Sequence, residues 1–162
     1  MNRRLYVLRH AKSSWDDPGL SDHDRTLAPR GRKATKLLAN HLREHDIRPS
    51  LVLCSTAVRA QETLQGIGLD GERSIEKELY TASAGQWIAR LNRVPEETES
   101  VMAIGHNPAL QQLVLALAGR SEQVERKFPT AALATLSLQC SWSEVRPGCA
   151  ELTGLVRPKD LD

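Results

Sequence analysis

Aromatic side chains are scarce in this 162-residue sequence: three Trp, two Tyr and one Phe make up 4% of it. The core must therefore be built from Leu, Val, Ala and Ile, and short runs of those residues become the guide to buried elements. Cysteine is scarce as well. Cys54, Cys140 and Cys149 are an odd number with no Cys-x-x-Cys spacing, which argues against a disulfide framework or a zinc knuckle and fits a reducing compartment. An excess of one charge is also missing. The 22 Lys and Arg stand against 20 Asp and Glu, a net charge of +2 that is far from the dense basic stripe of a nucleic-acid binder. Long apolar runs are absent, and "MNRRLYVLRH" offers only four apolar residues before the next charge, too few for a signal-peptide core or a membrane span. The expectation is a cytoplasmic protein with no membrane partner and no nucleic acid, of a length that suits one domain over residues 1–162.

What is present alternates between strand-like and helix-like patterns. Leu5 to Leu8, "SLVLCS" and "SVMAIGH" are short unbroken apolar runs, as expected of parallel strands covered on both faces. Between them, Ala34, Leu37, Leu38 and Leu42 recur at helical spacing from Gly31 to about Asp46, and "TAVRAQETLQGIG" and "SAGQWIARLNRV" read as further helices. Residues 74–80 read as a short extended segment. "NPALQQLVLALAG" reads as a helix entered through Asn107 as N-cap with Pro108 at the first helical position. The last third alternates like strands around a turn at Pro147 and Gly148, which adds one or two edge strands. The pattern implies a three-layer α/β/α sandwich with a mainly parallel central sheet and an antiparallel edge strand. In such sheets the C-terminal strand ends share one edge, where ligands bind.

Three apolar runs end at that edge, and each delivers a cationic or titratable group. Arg9 and His10 follow the first, Arg59 comes just after the second, and His106 ends the third. Arg59 falls in the first turn of its helix, where the macrodipole disfavours a cation, so a compensating anion is expected beside it. Two guanidinium forks and helix N-terminal amides suit phosphate. Surrounded by positive charge, His10 should stay neutral, with a lone pair free to attack phosphorus. Arg9, Arg59 and His106 would then carry the charge on the phosphoryl oxygens, with neither metal nor cofactor required.

At these residues the chain resembles a known family. "LRHAKSSW", "CSTAVRAQET" and "AIGHNPAL", together with "DRTLAPRGRKA", resemble the ordered blocks of the histidine phosphatase superfamily, and most closely its short SixA-like phosphohistidine phosphatases. The resemblance implies a phosphoglycerate mutase-like fold with Arg9, His10, Arg59 and His106 as the phosphate-binding and catalytic core and His10 as the nucleophile. It implies a phosphorylated partner, either a protein carrying phosphohistidine or a small phosphorylated metabolite. A non-catalytic phosphate-binding module is the competing class. Phosphoglycerate mutase relatives have a glycine where this chain has Ala11, and they carry a long insertion and a carboxylic acid before the second histidine. The candidate acid here is Glu78 in "KELYTAS".

Further residues offer weaker signals. Ser13, Ser14 and Arg25 are candidate substrate-binding groups, and Trp15 and Arg30 could line the pocket mouth or extend its positive field. "HLREH", with His41 and His45 on the apolar side of its helix, matches a zinc-peptidase pattern but reads more simply as packing and capping. Cys54 and Arg59 invite comparison with cysteine-dependent phosphatases, yet four residues separate them and the loop glycines are missing, so Cys54 reads as a small core residue.

Overall fold

Each apolar run becomes a strand of one sheet. The computed structural model describes residues 2–162. Strands β1 (Arg3–Arg9), β2 (Leu51–Ser55), β3 (Glu72–Glu76), β4 (Ser100–Gly105), β5 (Leu133–Leu138) and β6 (Ala150–Val156) lie in the order β3-β2-β4-β1-β5-β6. The pairs β1 with β4, β4 with β2 and β2 with β3 are parallel, whereas β1 with β5 and β5 with β6 are antiparallel. The strand that reverses direction is thus β5, which lies inside the sheet, while β6 takes the edge and pairs antiparallel with it.

Helices α1 (Pro29–Glu44) and α2 (Val58–Ile67) cover one face, and α3 (Ala84–Leu91), α4 (Ala109–Ala118) and α5 (Glu122–Arg126) the other; α6 (Pro158–Leu161) packs against α1. Because side chains alternate along a strand, β1 feeds both cores. Tyr6 and Leu8 pack with Leu38, Leu42 and Leu64 under α1 and α2, and Leu5 and Val7 pack with Trp87, Leu110 and Leu113 under α3 and α4. The three fully buried aromatics, Trp87, Trp142 and Phe128, lie in the second core, where the indole of Trp142 donates to the Thr98 carbonyl at 2.7 Å.

Differences from the sequence reading have local causes. The helix expected from Asn107 begins at Ala109, with Pro108 as its N-cap. Asn107 still caps it, since its Oδ1 accepts the Gln111 amide at 3.2 Å while its Nδ2 donates to the Phe128 carbonyl at 2.9 Å. Residues 74–80 divide: β3 ends at Glu76 and a 3-10 turn spans Lys77–Leu79. On α1 the buried stripe runs through Gly31, Ala34, Thr35, Leu38, Ala39 and Leu42, so Leu37 and His41 are half-buried and His45 is exposed. Gly31 is where α1 meets the chain just past β1. A Cβ there would stand 2.1 Å from the Lys12 carbonyl oxygen, so only glycine lets the helix start this close to His10.

Candidate active site

The sheet order explains how distant residues converge. Strands β2, β4 and β1 are neighbours and run the same way, so the residues that follow their C-terminal ends lie side by side. His10 follows β1, and its amide donates to the Gly105 carbonyl at 3.0 Å, pinning it to the end of β4. His106 follows β4, and its ring centroid lies 5.1 Å from that of His10. Arg59, one residue into α2, brings Nη2 to 3.5 Å from His106 Nδ1. Arg9 closes the group, its Nη1 donating to the Phe128 carbonyl at 3.2 Å.

Hydrogen bonds assign the tautomers. His10 Nδ1 lies 2.8 Å from the Ala11 carbonyl, an acceptor only, so Nδ1 carries the proton and Nε2 the lone pair. Arginine donates only, so His106 Nδ1 accepts from Arg59 and its Nε2–H donates to Ser55 Oγ at 2.8 Å. Ser55 is fully buried at the end of β2, and its hydroxyl oxygen also accepts the Ala57 amide at 3.1 Å. Burial pushes His10 down to about 3; the bond to the Ala11 carbonyl pulls the other way, and His106, Arg59 and Arg9 add smaller downward shifts. Burial first and then Arg59 bring His106 down to about 4. Both rings are neutral at neutral pH. Arg9 is also shifted downward, by burial and then by Arg59.

A stability prediction follows with a definite sign. Above pH 6.5, the ordinary histidine value, both rings are neutral whether the chain is folded or not. As pH falls below that, the unfolded chain binds protons that the folded site refuses, so stability drops by as much as about 1.4 kcal/mol per pH unit for each ring. The loss runs until pH reaches about 4 for His106 and about 3 for His10. Urea midpoints measured between pH 7 and 5 should fall steeply for the wild type and less steeply for a His10→Asn, His106→Asn double variant.

The sequence assigns a phosphate to Arg59; in the structure a carboxylate of the chain itself, Asp22, already meets that guanidinium. Arg59 donates through Nη1 to the Asp22 carbonyl at 2.6 Å and through Nη2 to Asp22 Oδ2 at 3.0 Å. Tyr80 also donates its hydroxyl to Oδ2, at 2.6 Å, and its ring packs edge-on against both His106 and His23. His23 bridges Asp24 and Thr56, with Nδ1 3.1 Å from Asp24 Oδ1 and Nε2 2.9 Å from Thr56 Oγ1.

Asp22, His23, Ser55 and Tyr80 were not singled out by the sequence reading. Ser55 could have been found as the last residue of a buried run, and Asp22 and His23 as the charged centre of a loop too long to be a plain connection. Other candidates serve different ends. Arg25 is buried and clamps the loop: Nη2 donates to Ser13 Oγ at 2.5 Å, Nε to the Ser14 carbonyl at 3.1 Å and Nη1 to Asp22 Oδ1 at 3.1 Å. Its guanidinium also lies over the Trp15 ring, 3.2 Å from the centroid, and Trp15 is 72% exposed. Ser13 and Arg25 are thus committed to holding the loop rather than offered to a ligand, and the Ser14 hydroxyl accepts the Asp16 amide at 3.0 Å.

Glu78 is not brought into the group. It is exposed and lines a shallow cleft with Leu79, Gln86 and Arg90, and the side chain its segment delivers to the site is Tyr80. Arg30 lines a separate cleft of about 300 Å³ with Lys12, Lys33 and Lys159. His45 Nδ1 donates to the His41 carbonyl at 3.0 Å at the end of α1, a capping arrangement. Among the described residues no group of three or more His, Cys, Asp or Glu side chains is placed to hold a metal ion. Cys54 points into the core, and burial pushes its thiol up to about 12, which leaves it without nucleophilic character.

The family model of the histidine phosphatase superfamily (branch 1) matches residues 5–93. The chain belongs to this superfamily. An uncharacterized protein of Mycobacterium tuberculosis is 39% identical to this histidine phosphatase over 159 residues, covering 94% of this chain and all of the relative. Phosphohistidine phosphatase SixA of Escherichia coli is 28% identical over 141 residues, covering 83% of this chain and 85% of the relative. A solved structure of the protein histidine phosphatase SixA complexed with tungstate superimposes with a TM-score of 0.83 at 25% identity, covering 98% of this chain and 99% of that one. The three-layer fold is therefore that of the histidine phosphatases, and the chain is a SixA-like phosphatase. No helix among the described residues is long and apolar enough to cross a membrane.

Proposed function

We propose that this histidine phosphatase removes phosphate from phosphohistidine in proteins, through a covalent phosphohistidine at His10 and without a metal ion. The observation that carries the reading is the bond from His10 Nδ1 to the Ala11 carbonyl, which leaves Nε2 with its lone pair on a ring that burial keeps neutral. Nε2 attacks phosphorus, the bond from phosphorus to the substrate nitrogen breaks, and the electron pair leaves with the substrate imidazole, neutral because its other nitrogen holds a proton. Water then attacks the phosphoryl group on His10, frees phosphate and returns the neutral ring. Arg9 and Arg59 neutralise the equatorial oxygens throughout. As the dianion enters, its charge raises the basicity of His106, which can then take a proton at Nδ1 and donate it as a hydrogen bond while Nε2–H stays on Ser55.

Two features support a phosphorylated protein as substrate. The 47 positions from Arg59 to His106 are used by α2, β3, the 3-10 turn, α3 and β4, all parts of the sandwich, which leaves no inserted cap. And Glu78 stands outside the site, so no carboxylic acid from that segment serves an alkoxide leaving group, whereas an imidazole needs little help to depart. Phosphate release from a phosphohistidine protein, from phosphoramidate and from sugar phosphates, compared at equal concentration, tests the reading. The nitrogen-linked substrates should be turned over at least tenfold faster; a preference for sugar phosphates would overturn it in favour of a small-molecule phosphomonoesterase.

A further inference from the structure

Asp22 occupies an unusual position for a carboxylate. It touches the guanidinium that a phosphate needs, and an anion beside a phosphate repels it unless it serves the other half of the substrate. Its contacts define which half. Oδ2 accepts from Arg59 and Tyr80, and Oδ1 accepts from Arg25 alone, so a carboxylate with about four acceptor positions keeps one open on Oδ1. The side chain is 53% exposed, whereas His10 is only 6% exposed. His10 therefore forms the floor of the site and Asp22 its rim, and a group displaced in line from His10 departs on the solvent side, where Asp22 stands.

We propose that Asp22 determines specificity by accepting the N–H of the leaving imidazole, favouring nitrogen-linked phosphate over phosphate esters. This rests on the reading of the site as a phosphohistidine phosphatase. In the transfer step the His10 Nε2–phosphorus bond forms, the phosphorus–nitrogen bond breaks and the substrate ring keeps the proton on its far nitrogen. Asp22 Oδ1 accepts that N–H as a hydrogen bond and gains no proton. Positive charge on the ring before cleavage is stabilised by the carboxylate, whereas the alkoxide of an ester has no N–H to offer and its growing negative charge is repelled. Hydrogen bonds from Tyr80 and Arg59 hold the Asp22 carboxyl down at about 2, so it stays ionised and cannot act instead as a proton donor to an alkoxide. The three donors also fix its direction, which a flexible rim carboxylate would lack.

The test compares kcat/KM for a phosphohistidine peptide and for p-nitrophenyl phosphate in the wild type, Asp22→Asn, Asp22→Ala and Tyr80→Phe. Both Asp22 variants should lose ten- to a hundredfold on the phosphohistidine peptide while holding or gaining on the ester, and inorganic phosphate should inhibit them more strongly. Tyr80→Phe, which removes one of the three donors that fix the carboxylate, should lower the ratio between substrates in the same direction by a smaller factor. Equal losses on both substrates in both Asp22 variants would reduce Asp22 to a support for Arg59 and overturn the proposal. Absence of His10-dependent turnover of either substrate by the wild type would instead strike the underlying reading of the site.

Discussion

His10→Ala should lose turnover by on the order of 10⁴-fold or more, because in the proposed scheme it removes the atom that bonds to phosphorus rather than a group that eases the step. The expected loss is the same for nitrogen-linked and ester substrates, since the proposed scheme takes both through the same phosphoenzyme. On the same scheme the variant should still bind phosphate, because Arg9, Arg59 and His106 are retained and the small side chain leaves room. Mixing wild type with ³²P-labelled substrate and quenching in alkali, where phosphohistidine survives, should trap label on the protein; His10→Ala should trap none. Full turnover by His10→Ala would remove the covalent scheme altogether. A cysteine route is not its replacement, since Cys54 lies in the core with a thiol that burial holds protonated.

Arg59→Ala should cost the second largest amount, about 10²- to 10³-fold in kcat/KM, in line with the removal of one group that stabilises developing charge. Two effects combine. In the proposed scheme the guanidinium is lost from the phosphoryl oxygens, and the Asp22 carboxylate, which Arg59 holds through Nη2 at 3.0 Å, keeps only Arg25 and Tyr80 as partners and repels the incoming anion more strongly. The second effect is separable. In an Arg59→Ala, Asp22→Asn double variant part of the loss should be regained on p-nitrophenyl phosphate, and steady-state kinetics of the four proteins in the cycle measure the coupling. Arg59→Lys should recover little, because an ammonium cannot bridge two partners as the planar fork does.

The sheet and the four convergent residues were legible in the sequence because they depend on strong, local signals. Unbroken runs such as "LVLC" mark strands buried on both faces, and parallel strands must place the residues after them on one edge. Arg59, a cation in the first turn of a helix, called for an anion, and the sequence assigned that anion to a phosphate. What was not legible was the anion's source. Asp22 lies 37 positions from Arg59 with α1 and β2 between them, in a loop with no periodic pattern whose composition does not separate a carboxylate at the site from one in solvent. The same holds for Tyr80, two residues from Glu78: a turn of about one residue decides which side chain reaches the site, and periodicity does not resolve a 3-10 turn. For His10 the sequence pointed to neighbouring positive charge as the cause of neutrality, whereas burial is the larger cause, because the depth of a strand end is a property of the whole sandwich.

The neighbouring placement of β2, β4 and β1 has a consequence for the life of the chain. His10 is made well before β4, and the contacts that bury its ring beside His106 exist only once that strand lies between β2 and β1. The grouping of His10, Arg59 and His106 is therefore a property of the paired sheet, and it is incomplete in any copy whose β4 has not joined β2 and β1.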